Sequence, residues 1–300
     1  MKNSIYTFIA ILVMLLNTAC SKEIEVDTGE FQRKHVIEGY IENGENPWVV
    51  VTNNMQFFSS FNLDFTSMEG LKTLSEMFVT NAEVIVSDGV IYDTLELVYD
   101  TAIFSGKPVW PPLRYTTSNL VGEVGKTYTL QVNVDNQMYT SQTTITEPYV
   151  LDTLWAVYDK NEPDYYWLHT MIHDDVNDAN FYNCYSKRLG IDDDFAECFM
   201  CLWDDKFLNG QTFEAVLYRG SQSTLLQSND TIDTLSVYGK FHVDDTVALK
   251  VLTMDNNSFN FWISLQGSTV VNSNIEGGAL GVWCGYGVSY TEPRSYPKKE

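Results

Sequence analysis

From residue 34 onward, apolar and polar side chains alternate with a period of two through much of the sequence. The clearest run is Lys126-Thr127-Tyr128-Thr129-Leu130-Gln131-Val132-Asn133-Val134, turned by Asp135-Asn136-Gln137 and returned by Met138 to Thr143. Such alternation gives a strand one wet and one buried face, as in a β-sandwich. His35 to Ile41, Trp48 to Thr52 and Asn81 to Ser87 read the same way, with Asn43-Gly44 and Asp88-Gly89 as turn signals. Further strands are expected at Leu154 to Tyr158, Tyr165 to His173, Leu235 to Val243, Val247 to Thr253 and Phe259 to Leu265. Asp244-Asp245 and Asp255-Asn256-Asn257 supply turns between the last three, and a glycine-rich, strand-like stretch runs from Gly277 to Tyr290. Leu71, Leu74 and Phe78 recur at helical spacing within Ser67 to Phe78, which fits a short helix or lid and equally a packed loop. Pro108 to Pro112 cannot join a central sheet and makes Trp110 a candidate exposed aromatic. No internal repeat, coiled-coil heptad or second apolar run of membrane length is present.

The first twenty residues follow a different rule. Lys2 and Asn3 precede an almost wholly apolar stretch from Ile5 to Leu16, and Ala19 stands before Cys20. A charged start, a short apolar region and a small residue at the cut make a secretory signal. The stretch is shorter than the roughly 20 apolar residues a spanning helix needs. A cysteine at the cut makes it a lipoprotein signal, with the Cys20 thiol as lipid acceptor. Asn17 departs from the aliphatic residue usual three places before that cysteine, and Leu15 and Leu16 lie one register back. An ordinary secretory cut after Ala19 is the alternative. Two or more acyl chains hold a protein stably at a membrane, whereas one does so marginally. Ser21 to Asp27 is a short acidic tether, and residues to about Arg33 have too little apolar content to fold alone.

The expected organisation is a signal at 1–19, a flexible tether at 20–33, a β-sandwich domain at 34–148 and a second β-rich domain at 149–295. The fold class is all-β, and the abundance of Tyr, Trp, Thr and Val favours strands over helices. The formal charge is −22, and losing Lys2 with the signal takes it to −23. That surface repels phosphate backbones, so nucleic acid is excluded as a partner. An acidic shell also keeps a protein soluble.

Apart from Cys20, the cysteines are Cys184, Cys198, Cys201 and Cys284, which allow three disulfide pairings if all are oxidised. Buried free thiols are the other reading. Cys198-Phe-Met-Cys201 has zinc-ligand spacing but lacks a second well-spaced pair. His169 and His173 share a face of an expected strand, where four residues span about 13 Å, too far for one ion. Asp174, Asp175 and Asp178, with Asn177 and Asn180, form an oxygen-rich loop that is a weak calcium candidate without the glycine and glutamate of an EF-hand. Asp192-Asp193-Asp194 and Asp204-Asp205 are weaker again. No nucleophile elbow, zinc-protease motif or phosphate loop occurs, so no catalytic residue and no cofactor beyond the Cys20 lipid is assigned.

Val36 to Ile41, Asn81 to Val84 through Asp88-Gly89, Gly125 to Leu130 and Asn274 to Gly278, taken in order, resemble one family. It is the domain of unknown function 4249 family of Bacteroidota lipoproteins, and the likeness runs from about His35 to Tyr290. The tether likewise resembles export signals of Bacteroidota surface lipoproteins. The resemblance implies an immunoglobulin-like sandwich followed by a second β-rich domain. It also implies an outer-membrane accessory lipoprotein, facing the exterior, that caps or feeds a TonB-dependent receptor and is not an enzyme. A small molecule or glycan is the expected ligand class. A surface carbohydrate-active hydrolase and an adhesive or structural lipoprotein are the alternatives.

Overall fold

The structure is a computed structural model and describes residues 32–55, 67–99, 111–174, 181–206, 209–220, 238–267 and 270–297. Its first half forms β1 (His35–Glu42), β2 (Trp48–Asn53), helix α1 (Met68–Met77), β3 (Glu83–Ser87), β4 (Tyr92–Thr94) and β5 (Glu96–Tyr99). β6 (Leu113–Thr116), β7 (Thr127–Val134) and β8 (Gln137–Thr144) follow. The second half forms β9 (Trp155–Tyr158), β10 (Tyr165–His173), β11 (Phe181–Arg188), β12 (Ala196–Glu197), β13 (Trp203–Asp204), β14 (Thr212–Leu217) and β15 (Phe241–His242). β16 (Thr246–Met254), helix α2 (Asn256–Leu265), β17 (Leu280–Tyr290) and β18 (Arg294–Ser295) complete it. The fold is all-β, as the alternation predicts.

The β7–β8 hairpin pairs every residue from Thr127↔Thr144 to Val134↔Gln137. Asp135 and Asn136 take φ of 52° and 62°, the two left-handed residues that a tight hairpin turn requires. These strands join β3 and β4 in a four-stranded sheet ordered β4-β3-β7-β8. A second small sheet is ordered β14-β10-β15, with β9 also on β10.

A ten-stranded sheet carries both. Its order is β12-β11-β16-β17-β1-β2-β6-β5, with β13 on β11 and β18 on β16. At its centre β1 and β17 run parallel, from Val36↔Leu280 to Glu42↔Tyr286. Ile37, Ile41, Val49 and Val51 of this sheet share a core with Val84, Val86, Leu130 and Val132 of the first small sheet. Cys184, Val247, Leu249 and Val251 share another with Tyr166, Leu168 and Leu217 of the second. The registers put these residues on one face of the long sheet, so both small sheets cover that face. The chain at 144–148 passes directly over β17 there: a Cβ on Gly287 would stand 2.2 Å from the Thr146 carbonyl oxygen.

Three expectations change. The N-terminal sandwich exists, but residues 34–148 and 149–295 are not separable bodies. Both give strands to the long sheet, and Arg33–Glu300 is one compact unit. The cause is β17, which returns to pair with β1, and periodicity names no pairing partner. Phe259 to Leu265 is helix α2, not a strand. Asp255 caps it by accepting from the Ser258 amide at 2.8 Å, and Phe259 and Phe261 are buried. Of Leu235 to Val243, residues 235–237 lie outside the described residues, and among the described 238–243 only Phe241–His242 is strand. Between the two readings of Ser67 to Phe78, the structure has a helix, with the Ser67 hydroxyl accepting from the Gly70 amide. Trp110 lies outside the described residues.

Candidate functional site

β1 sends Ile37, Gly39 and Ile41 toward the sandwich core. Its other side chains, Val36, Glu38, Tyr40 and Glu42, therefore face the opposite side of the long sheet. Register sets Val50 and Val282 beside Glu38, and Trp48 and Cys284 beside Tyr40. Farther across the same face, Tyr185, Lys250 and Tyr290 align on β11, β16 and β17. Helix α2 covers part of this face by packing Phe259, Phe261 and Trp262 against Val282, Cys284, Tyr286 and Val288. Beside the helix remains a cavity of about 600 Å³, lined by these β1 and β2 side chains, Tyr185, Phe195, Lys250, Trp262, Tyr286 and Tyr290. That volume suits a small-molecule ligand.

Aromatic rings form a continuous wall. Trp48 and Tyr40 lie edge to face with centroids 3.9 Å apart, and Tyr40 and Tyr286 follow at 5.6 Å. The Trp262 indole N–H then donates to the Tyr286 hydroxyl at 2.8 Å. Burial raises the phenol pKa of Tyr40, Tyr185 and Tyr286, so all three stay neutral in the physiological range.

Charge in the cavity is unevenly matched. Lys250 donates to both carboxylate oxygens of Glu42, at 2.6 and 2.9 Å, and its ammonium lies 5.9 Å from the Tyr290 ring centre. Glu38 has no such partner. Its side chain opens to the cavity, yet the protein around it removes enough water to raise its pKa, with desolvation the sole cause. The Asp194 carboxylate also lines the cavity and accepts from the Phe195 amide at 2.7 Å.

The residues singled out from sequence lie elsewhere. His169 bonds Glu214 at 2.6 Å, and His173 bonds the Thr212 hydroxyl at 3.0 Å, each opposite a different residue of β14. Asp174 accepts from the Tyr182 hydroxyl and the Gly210 amide, while Asp175 and Asp178 lie outside the described residues. Asp192 is held by Arg188, with 2.6 Å the shortest contact. Among the described residues, no three His, Cys, Asp or Glu side chains are arranged to hold a metal ion.

The cysteines divide into a group of three and one apart. Cys184, Cys198 and Cys201 share a buried core, with Cys198 in hydrogen-bonding reach of both others. Cys284 sits on the opposite face of the sheet, under α2, so it cannot pair with the three. This removes two-bridge pairings from the expectation, and all four are free thiols in the structure. Burial raises the thiol pKa of Cys198 and Cys284, the latter to about 12, and at Cys201 the neighbouring Cys198 and then burial do the same. Cys20 lies outside the described residues.

Glu38, Tyr40, Glu42 and Lys250 escaped the sequence reading because polar positions of an alternating strand read as a wet face. The available signal was Glu-Gly-Tyr-Ile-Glu, in which two carboxylates flank an aromatic on one face. No curated protein and no solved structure matches the chain. A family model does: Domain of unknown function (DUF4249) matches residues 21–291. That match embraces every described strand from β1 to β17, and by it the chain belongs to the DUF4249 family.

Proposed function

We propose that this protein is a lipid-anchored, outer-membrane accessory of a TonB-dependent transporter. It captures a ligand in the aromatic cavity and holds it near the transporter mouth. The signal ending at Ala19-Cys20 and the acidic tether support the location; resemblance to Bacteroidota surface lipoproteins supports the exterior face and the transporter partner. The cavity carries the capture role, because it gathers neutral aromatic side chains and an unpartnered carboxylate on an otherwise well-packed sheet. Tethering raises effective concentration at the membrane, so weak docking to the receptor suffices. Affinity purification of the full-length protein from detergent-solubilised outer membranes tests this. A TonB-dependent receptor is expected in near-stoichiometric amount, and repeated recovery without one refutes the partnership.

A surface hydrolase is the second reading, favoured by one observation. A carboxyl with a raised pKa in an aromatic cavity has the character of a general acid. The strand geometry weighs against it: Glu42 lies four residues along β1, about 13 Å away, and is engaged by Lys250. Release of reducing ends from surface polysaccharides, lost in Glu38→Gln, would select this reading.

A further inference from the structure

We propose that the cavity takes an organic cation, an ammonium-bearing molecule of small-metabolite size, with Glu38 as its counter-ion and the Tyr40–Trp48 rings as its wall. This rests on the reading of the cavity as the capture site and narrows what it captures.

The protein's own lysine sets the pattern. At one end of the cavity the Lys250 ammonium is held by the Glu42 carboxylate and lies near the Tyr290 ring. At the other end the same chemistry recurs, and although the Arg114 charge reaches Tyr40, no cation among the described residues pairs with Glu38. Glu38 is four residues along β1 from Glu42, with Tyr40 between them on the same face and Trp48 packed on Tyr40. Lys250 is the one cation among the described residues that line the cavity, and its charge is spent on Glu42. Glu38 has no cation of its own, and an anionic ligand beside its carboxylate is repelled. The chain's net charge of −22 adds to that repulsion.

A neutral ligand would fill the space and cover the Glu38 carboxylate without pairing it. A cation offsets that cost and also gains from the ring faces, which carry negative charge density. Quaternary or protonated amines have this combination of charge and apolar surface.

The test uses two molecules of nearly one shape. Choline and its uncharged isostere 3,3-dimethylbutan-1-ol are titrated into the full-length protein in lipid nanodiscs, with glucose as an uncharged, hydroxyl-rich third probe. Intrinsic fluorescence reads Trp48 and Trp262 at the cavity wall. Choline is expected to give a saturable change at least about ten-fold tighter than its isostere. Glu38→Gln should remove most of that preference while leaving isostere binding unchanged. Equal binding of choline and the isostere overturns the assignment, as does no saturable response to choline. Because the wild-type comparison stands alone, a folding defect in Glu38→Gln would not rescue it. Glucose binding in place of choline overturns the cation while sparing the capture role, and loss of the receptor partner is read separately by co-purification.

Discussion

Trp283 is fully buried on β17, and its indole N–H donates to the Tyr128 carbonyl at 3.0 Å. Its neighbour across the parallel pair is Gly39, where a Cβ would meet the Trp283 ring at 3.1 Å. One large ring thus fills the space that a glycine leaves. Trp283→Ala should destabilise by about 3–5 kcal/mol, read as a lower urea midpoint. Glu38 makes the opposite prediction. Its carboxyl pKa is raised in the folded state, so the native protein binds more protons between the unfolded and folded values, and stability falls as pH rises through that window. Glu38→Gln should therefore be more stable than wild type above the window and equal to it below, as measured by urea unfolding at several pH values. Neither position stands out in the sequence. Trp283 lies in a glycine-rich stretch, and Glu38 looks like any solvated carboxylate of an alternating strand, because the cavity around it depends on which strands pair.

Helix α2 shows where local reading fails. Phe259, Phe261, Trp262 and Ile263 have strand-forming character, and only the capping residue signals a helix. Asp255 accepts from the Ser258 amide and also from the Thr143 hydroxyl at 2.6 Å, joining the helix start to β8. Asp255→Ala should cost about 1–2 kcal/mol by thermal or urea unfolding. β17 is the strand that its sequence suggests, but nothing local shows that Gly285 and Gly287 are sites of close chain approach. A Cβ at Gly287 meets both the Thr146 carbonyl oxygen at 2.2 Å and the Thr253 hydroxyl at 2.4 Å. Gly287→Ala should therefore destabilise by about 1–3 kcal/mol, checked the same way. By contrast, β7, β8 and β10 were fully legible, because their periodicity and turn residues are local properties.

The assembled protein joins what the sequence divides. A boundary near residue 148 is visible as a change of segment, but the sheet that crosses it is built by the β1–β17 pair, whose members are more than two hundred residues apart. The same topology separates the cysteines. Cys284 should remain a thiol, together with at least one of Cys184, Cys198 and Cys201, so thiol titration of unfolded, unreduced protein should always find at least two. The cavity likewise exists only through strands from both halves and α2, which is why no motif announced it. The proposed placement at the membrane, however, rests on lipid attachment at Cys20. Intact-mass spectrometry of the membrane-extracted protein tests that most directly. The account predicts a chain that begins at Cys20 and carries diacylglycerol and a further acyl group. A mature chain with an unmodified amino terminus would contradict it.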